Sequence, residues 1–300
     1  MPPERGALRR VLVAVTALAF LLLLAGFGAR LHPAGDTIGV FRVPLAVITM
    51  AGALVLWRPL PATLPVALIA AAALVPHLPG PAPEEPAEPM LTLYQQNLLY
   101  SRTDHAAFVG EIRRQAPDVI TLQEVSEQNV AIIDALSDLY PHRKFCPVGD
   151  RFGEAVLSRL PIEGDSVDCL PGGSLALLRV RTEAGPVWIG SVHLNWPWPR
   201  GQAREVDKLL PVLEGLEGPV LLAGDFNAVP WSHTVRRMAR AIGARRAGPG
   251  GASFVLPFIH LPVTIDHIVA PEGFDGGAKV MPRLGSDHRG VFAWLDRAPQ

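Results

Sequence analysis

The segment VLLAGDFNAVPWS, residues 220–232, begins as an apolar strand and ends in polar residues. Its first residues are apolar or small, and they lead directly into Gly224, Asp225 and Asn227. Side chains two residues apart on an extended chain project to the same side, so we expect Asp225 and Asn227 to face one site. A core strand that ends in a carboxylate and a carboxamide predicts either a turn or one wall of a functional site.

The same arrangement recurs along residues 90–300, where short apolar runs predict strands and periodic segments predict helices. Strands are predicted at 91–99, 119–122, 154–160, 176–180, 187–192, 220–223, 264–269 and 290–295, and helices at 105–115, 129–139 and 202–213. Six strands carry a carboxylate, carboxamide or imidazole at or near one end: Asn97, Glu124, His193, Asp225, Asp266 and the pair Asp287 and His288. Each alone has a structural explanation as a turn or strand-end residue. Together they indicate a shared site, because buried charges are costly unless they pair or bind metal.

These segments resemble the endonuclease/exonuclease/phosphatase superfamily. The matching pieces are QQNLL, PDVITLQEV, GSVHLN, LLAGDFNAVP, TIDHIVA and GSDHRGV, in the family's order across residues 91–295. The resemblance implies an α/β fold, a four-layer α/β/β/α sandwich with its site at one edge. It also implies a hydrolase of phosphodiester or phosphomonoester bonds, similar to bacterial members that carry membrane spans ahead of the domain.

The metal expected at this site is Mg²⁺ or Mn²⁺, since hydrolysis of phosphoesters needs charge neutralisation and magnesium prefers hard oxygen ligands. Glu124 with Asn97 beside it is the predicted ligand pair, and the resemblance implies the same pair. Asp287 is a further ligand or an orienting group. Some nucleases of the family place a second acid two residues after this Asn. Leu99 occupies that position here, which argues against a second ligand from this strand.

The predicted catalytic residues are His193, Asp225, Asn227, Asp266 and His288. His288 would accept a proton from the attacking water, because histidine titrates near neutral pH, and Asp266 would orient its ring. Asp225 would position the water or bind metal. Asn227 and His193 would donate to the phosphate, or His193 would protonate the leaving group. Asn195 lies two residues from His193 and is a further predicted substrate-binding residue.

The first 80 residues are dominated by apolar runs, and they predict three transmembrane helices at about 11–29, 38–57 and 60–78. A cleavable signal peptide is the alternative for the first run. Residues 81–89 predict a Pro/Glu-rich linker, and 90–300 the globular domain. Basic residues precede the first run, at Arg5, Arg9 and Arg10, so the domain is expected outside the cytoplasm of a multi-pass membrane protein.

The substrate is left open between nucleic acid, a phospholipid or sphingomyelin, and a small phosphoester. From residue 90 onward there are 21 Lys and Arg against 23 Asp and Glu, which argues against tight non-specific binding of nucleic acid. Trp196, Trp198 and Trp231 would stack a base, enter a lipid interface, or simply pack. A non-catalytic binding domain on the same fold is the less favoured alternative, and no protein partner is inferred.

Two further features of the sequence have two interpretations each. Cys146 and Cys169 are either a disulfide or two unrelated buried thiols. Arg151 either holds phosphate or lies on the surface.

Overall fold

The computed structural model describes residues 3–78, 84–164, 169–170, 173–247 and 251–297 of the 300-residue chain, with side chains from residue 6 onward. The chain divides into two compact units. Unit 1 contains Met1–Gly80 with Pro197–Pro199 and Trp231–His233, and unit 2 contains Pro81–Trp196, Arg200–Pro230 and Thr234–Gln300. Residues 81–83 of the predicted linker lie outside the described residues.

The first eighty residues are helical. The helices are α1 (Pro3–Ala25), α2 (Ala34–Gly39), α3 (Arg42–Leu56) and α4 (Thr63–Leu74), with 3₁₀ turns at Gly28–Arg30 and Val75–His77. Helices α1 and α3 pack closely where Gly52 faces Thr16, because a Cβ at Gly52 would lie only 2.1 Å from Thr16 Oγ1. Small residues therefore set the spacing of these helices.

The prediction of three transmembrane helices is wrong in number. Among the described residues one helical segment, Gly6–Ala25, is long and apolar enough to cross a membrane, with 20 residues and a mean hydropathy of 2.2. The apolar helices Arg42–Leu56 and Thr63–His77 are shorter than the roughly 20 residues that a bilayer requires. The predicted second span is divided because α2 ends at Gly39. The third is shortened because prolines at 59 and 61 delay the helix until Thr63.

Unit 2 contains two mixed β-sheets and a short ribbon. In chain order its strands are β1 (Leu91–Asn97), β2 (Val119–Val125), β3 (His142–Val148), β4 (Phe152–Ser158), β5 (Leu175–Thr182), β6 (Gly185–His193), β7 (Val220–Asp225), β8 (Ala244–Arg246), β9 (Phe254–Leu256), β10 (Leu261–Val263), β11 (Asp266–Pro271), β12 (Phe274–Val280) and β13 (Val291–Arg297). One sheet has the order β12-β13-β1-β2-β4-β3, the other has the order β5-β6-β7-β11-β8, and β9 pairs with β10.

Four helices join and cover these strands: α5 (Ala106–Gln115), α6 (Ala131–Ala135), α7 (Gln202–Glu214) and α8 (His233–Ala241). Strands β1 and β2 are parallel, as are β6 and β7. A parallel pair needs a long crossover, which α5 supplies in the first case and α7 in the second. The predicted α/β class is confirmed.

The hydrophobic core lies in three layers. Leu93 of the first sheet and Ile189 of the second belong to one buried cluster between the two sheets. On the outer face of the first sheet Phe108 of α5 packs in a second cluster, and on the outer face of the second sheet Val206 of α7 packs in a third. The packing order is therefore helix, sheet, sheet, helix.

Five of the described strands were not predicted: β3, β8, β9, β10 and β12. Strands β8, β9 and β10 have three residues each, which is too short for a periodic pattern. Strand β3 alternates exposed and half-buried residues and carries basic side chains. Strand β12 contains Gly276, where a Cβ would lie 2.0 Å from the carbonyl oxygen of Trp294, and glycine weakens a strand pattern. Cys146 of β3 forms a disulfide with Cys169, so the two cysteines are paired.

Candidate active site

The sheet topology brings polar strand ends together at one edge of unit 2. In the parallel pair β1 and β2, Asn97 ends β1 and Glu124 is the penultimate residue of β2. The parallel pair β6 and β7 ends at His193 and Asp225. Strand β11 runs antiparallel to β7 and begins at Asp266, directly opposite Asp225. The pairing of the strands therefore brings five of the predicted residues to this edge.

Gly224 allows the close approach of β6 and β7 beside the site. A Cβ at this position would lie 2.0 Å from the carbonyl oxygen of Val192, and the φ angle of Gly224 is 152°. No side chain fits there, so the glycine before Asp225 is a requirement of the backbone.

The carboxylate of Asp225 occupies the centre of the site. Its Oδ2 atom lies 3.7 Å from His288 Nε2 and 3.8 Å from His193 Nε2, and it accepts a hydrogen bond from Asn97 Nδ2 at 3.2 Å. The side chain is 1% exposed. Burial raises the pKa of Asp225 to about 6, although the charge of His288 opposes this rise.

Asp266 and His288 form a buried pair. His288 Nδ1 lies 2.9 Å from Asp266 Oδ2, and Gln95 Nε2 donates to Asp266 Oδ1 at 2.8 Å. Burial alone would lower the pKa of His288, but the charges of Asp266 and Asp225 raise it to about 10. Burial alone would raise the pKa of Asp266, but the charge and hydrogen bond of His288 hold it below its usual range.

A second histidine–carboxylate pair was missed by the sequence analysis. Glu154 of β4 is completely buried, and its Oε1 atom lies 3.4 Å from His193 Nδ1. Burial alone would lower the pKa of His193, but Glu154, Asp225 and Glu124 together raise it to about 9. Burial raises the pKa of Glu154 against the effect of His193, so the two groups titrate as a pair. The available signal was an acid within the otherwise apolar run GEAVL.

Glu124 enters the site through an irregular backbone. Its φ angle is +56°, and the register between β2 and β4 shifts between Leu122 and Val125. A non-glycine residue with positive φ is uncommon, and a bulge redirects a side chain. Glu124 Oε1 accepts from Asn97 Nδ2 at 3.1 Å and lies 3.8 Å from His193 Nε2.

Asn227 is placed differently from the expectation of an extended chain. Strand β7 ends at Asp225, and the φ angle of Asn227 is +45°, so the argument that residues two apart project to one side is wrong here. The Asn227 backbone N–H donates to Asp225 Oδ1 at 2.8 Å, and its Nδ2 donates to the Leu194 carbonyl at 2.8 Å. Its buried Oδ1 has no hydrogen-bond partner within the described ranges.

Seven of the nine predicted site residues line a cavity of about 560 Å³. Asn195 and Asp287 are exposed at its wall, and the Asn195 backbone N–H donates to Glu205 Oε2 at 2.7 Å. Asn97 and Asp266 lie behind the wall as hydrogen-bond partners of the lining carboxylate and imidazole. Arg151 lines a separate groove, beside Phe145. The cavity is lined by Glu124, Val148, Phe152, Ser174, His193, Leu194, Asn195, Trp196, Arg200, Glu205, Asp225, Asn227, Phe254, Asp287 and His288.

The side chains fit a hard divalent cation, with oxygen ligands from Asp225 and Glu124. Asp225, Asp266 and His288 place one ligand atom each within 4.8 Å of one another. Asp225 and Glu124 line the cavity, whereas Asp266 lies behind its wall, which favours Asp225 and Glu124 as ligands. Asn97 Nδ2 bridges these two carboxylates, and its Oδ1 accepts from the Leu99 N–H at 3.0 Å.

The two-sheet fold and its pocket define an α/β protein with a site rich in carboxylates and imidazoles at one edge of its sheets. The chain belongs to the Endonuclease/Exonuclease/phosphatase family, whose model matches residues 94–288. That range contains every polar strand-end residue described above. Members of the family hydrolyse phosphoester bonds.

Solved structures with the same fold come from bacteria and animals. An endonuclease/exonuclease/phosphatase from Beutenbergia cavernae is 22% identical, with 70% of this chain and 72% of that chain covered and a TM-score of 0.56. TDP2 of D. rerio, complexed with a single-strand DNA product, is 16% identical, with coverages of 69% and 98% and a TM-score of 0.55. A mutant beta toxin of Staphylococcus aureus with bound magnesium ions is 14% identical, with coverages of 68% and 99% and a TM-score of 0.51. Comparison with curated proteins finds no significant match.

Proposed function

We propose that this chain is a metal-dependent phosphoesterase that cleaves its substrate by in-line attack of water. The observation that carries the proposal is the position of the buried Asp225 carboxylate. It lies within 3.8 Å of both His193 and His288, and each histidine is backed by a carboxylate of its own. The pocket thus combines a proton acceptor, a proton donor and acidic oxygens around one point.

Each side chain has a distinct proposed role. His288 accepts the proton of the attacking water, and Asp266 orients its ring and stabilises the imidazolium. Asp225 positions that water. His193, held by Glu154, donates a proton to the leaving oxygen on the other side of the phosphate. The Asn227 and Asn195 side chains donate to phosphate oxygens. For Asn227 this requires Nδ2 to release its hydrogen bond to the Leu194 carbonyl.

The proposed cation is Mg²⁺ or Mn²⁺, held by Glu124 and Asp225 with Asn97 and Asp287 beside them. Such a cation would neutralise charge on the phosphate, and its positive charge would lower the pKa of His288 towards the range in which imidazole accepts a proton. The magnesium bound to the similar beta toxin of Staphylococcus aureus supports this choice.

Hydrolysis of a chromogenic phosphodiester by the full-length protein tests the proposal. We expect turnover with Mg²⁺, and a loss of at least about 100-fold in kcat for Asp225→Asn, which retains the size of the side chain. Glu272→Gln removes an exposed acid outside the cavity and serves as the control. Equal turnover by Asp225→Asn and wild type would exclude the proposed site.

A nuclease and a phospholipid or sphingomyelin phosphodiesterase are the two substrate classes that we consider. The similarity to a TDP2 structure with a DNA product supports the first. Exposed apolar side chains on α1, such as Val11 and Leu18 at 59% each, support a position near lipid and so the second. A purely binding role on this fold is disfavoured, because the described pocket keeps both histidine–carboxylate pairs.

We propose that α1 anchors the protein in the cell membrane, with residues 1–80 as the membrane region, 81–89 as the linker and 90–300 as the catalytic domain. Arg5, Arg9 and Arg10 precede the apolar part of α1 and favour a cytoplasmic N-terminus. One crossing then places the catalytic domain outside the cytoplasm. The disulfide between Cys146 and Cys169 supports this side, because disulfides persist in oxidising compartments.

A further inference from the structure

An aromatic wall, formed by Trp196 and Phe254, flanks one side of the cavity. The Phe254 ring lies 4.6 Å from the His288 ring between centroids, with an angle of 34° between their planes. The Trp196 ring lies 6.0 Å from the Phe254 ring at an angle of 57°. The wall therefore extends from the proposed catalytic histidine to the mouth of the cavity.

Trp196 is available to a ligand. It follows β6 by three residues, lines the cavity and is 39% exposed. Its contact with Phe254 is tilted, so the two rings do not cover each other face to face. A partly exposed indole beside a deep polar pocket offers a flat apolar surface for stacking.

The remaining walls of the cavity contain polar as well as apolar side chains. Arg200, Asn195 and Glu205 are part of the lining. Glu205 is held in place by hydrogen bonds from the Asn195 backbone N–H at 2.7 Å and from the Ser174 hydroxyl. An acyl chain would remove water from these groups without replacing their hydrogen bonds, which is unfavourable. A planar group with a polar edge meets both requirements, because its face stacks while its edge forms hydrogen bonds.

The cavity also has more room than a phosphate needs. Its volume of about 560 Å³ lies in the range of sites that enclose small organic ligands. The phosphate position near Asp225, His193 and His288 occupies one part of it. The aromatic wall lies next to that part, so it is placed to receive the group to which the phosphate is esterified.

We propose that the substrate phosphate carries a planar aromatic group, of which a nucleobase on its sugar is the representative chemistry, and that this group stacks on Trp196 and Phe254. The proposal rests on the proposed phosphoesterase function and narrows it to one substrate class. Trp196 is then a specificity-determining residue that acts on binding of the esterified group.

Competitive inhibition tests this inference, with three monoesters that share a phosphate and differ in the attached group. Methyl phosphate, hexyl phosphate and AMP are compared as inhibitors of magnesium-dependent turnover of a chromogenic phosphodiester by the full-length protein. Each inhibition constant is corrected for the KM of the variant used. We expect AMP to bind at least about tenfold more tightly than hexyl phosphate, because stacking of a base on an aromatic side chain is favourable by about that factor or more.

Substitution of Trp196 gives the decisive comparison. Trp196→Ala should weaken AMP about tenfold and leave methyl phosphate unchanged, whereas Trp196→Phe should retain most of the AMP affinity. Trp57→Ala, at a tryptophan that is 44% exposed outside the cavity, should change neither.

Several results would overturn the inference while the phosphoesterase function stands. These are turnover with no inhibition by AMP, equal inhibition by AMP and hexyl phosphate, tighter binding of hexyl phosphate, or equal weakening of AMP and methyl phosphate by Trp196→Ala. A complete lack of metal-dependent turnover would instead refute the proposed function, and the inference with it.

Discussion

Asp225 lies between two histidine–carboxylate pairs. On one side His288 is backed by Asp266, and on the other side His193 is backed by Glu154. Negative charge from Asp225 and from the backing carboxylate raises the pKa of each imidazole. The single residue Asp225 therefore couples the two sides of the pocket electrostatically.

Glu154 can be tested as the residue that holds His193 in its protonated form. Glu154→Gln removes the negative charge 3.4 Å from His193 Nδ1 while preserving the size of the side chain. We expect kcat to fall by about 10- to 100-fold with little change in KM. The alkaline limb of the pH–rate profile should also move to lower pH, because the pKa of His193 is raised largely by Glu154.

The matched control for this variant is Glu163→Gln. Glu163 forms a surface ion pair with Arg181 at 2.7 Å and does not line the cavity. A Glu154→Gln protein with the wild-type kcat and an unchanged alkaline limb would show that Glu154 only fills space in the core.

At the scale of elements, β11 places a buried histidine next to the site. His267 is 1% exposed, and its Nε2 atom lies 2.7 Å from the Ala228 carbonyl oxygen. Burial, with a smaller effect of Arg246, lowers the pKa of His267 from 6.5 to about 4. The His267 ring is therefore neutral in the folded protein at neutral pH, and its hydrogen bond connects β11 to the segment after β7.

This pKa makes the stability of unit 2 depend on pH. A histidine with a lowered pKa in the folded state contributes its full stability above pH 6.5, and that contribution is lost as the pH falls from 6.5 to 4. Between pH 7 and pH 5 wild type should lose about 2 kcal/mol more than His267→Gln, which does not titrate. Urea unfolding of both proteins at the two pH values measures this difference, and equal losses would contradict the assigned shift.

The polar residues at the strand ends were predictable from the sequence, because each follows or precedes an apolar run. Their proximity was predictable because the carboxyl ends of parallel strands lie at the same edge of a sheet. Glu154 was not predictable in its role, since an acid in a strand is equally consistent with a solvent-facing position. The positive φ angles of Glu124 and Asn227 were not predictable either, because they depend on a bulge and on hydrogen bonds to distant residues. The predicted helix lengths in the first eighty residues were wrong because proline and glycine interrupt the helices within apolar runs that are continuous in composition.

In the whole molecule, α1 is the element that we propose anchors the protein and places residues 90–300 outside the cytoplasm. A phosphatase reporter active only outside the cytoplasm, fused after Pro89, should be active, and a fluorescent reporter that folds only in the cytoplasm should be dark. Deletion of residues 6–25, which contain the apolar helix, should reverse both results. Reversed activities in the undeleted fusions would place the domain in the cytoplasm.

We propose that the pocket around Asp225 hydrolyses a phosphoester with a metal ion and water. The most direct measurement is turnover of a phosphodiester by the full-length protein in ¹⁸O-labelled water, after chelation of metal and after Mg²⁺ is restored. We expect no turnover after chelation, recovery with Mg²⁺, and one ¹⁸O atom on the phosphorus of the product. Turnover that does not depend on metal, or a phosphate product without the label, would rule out metal-assisted attack of water in this pocket.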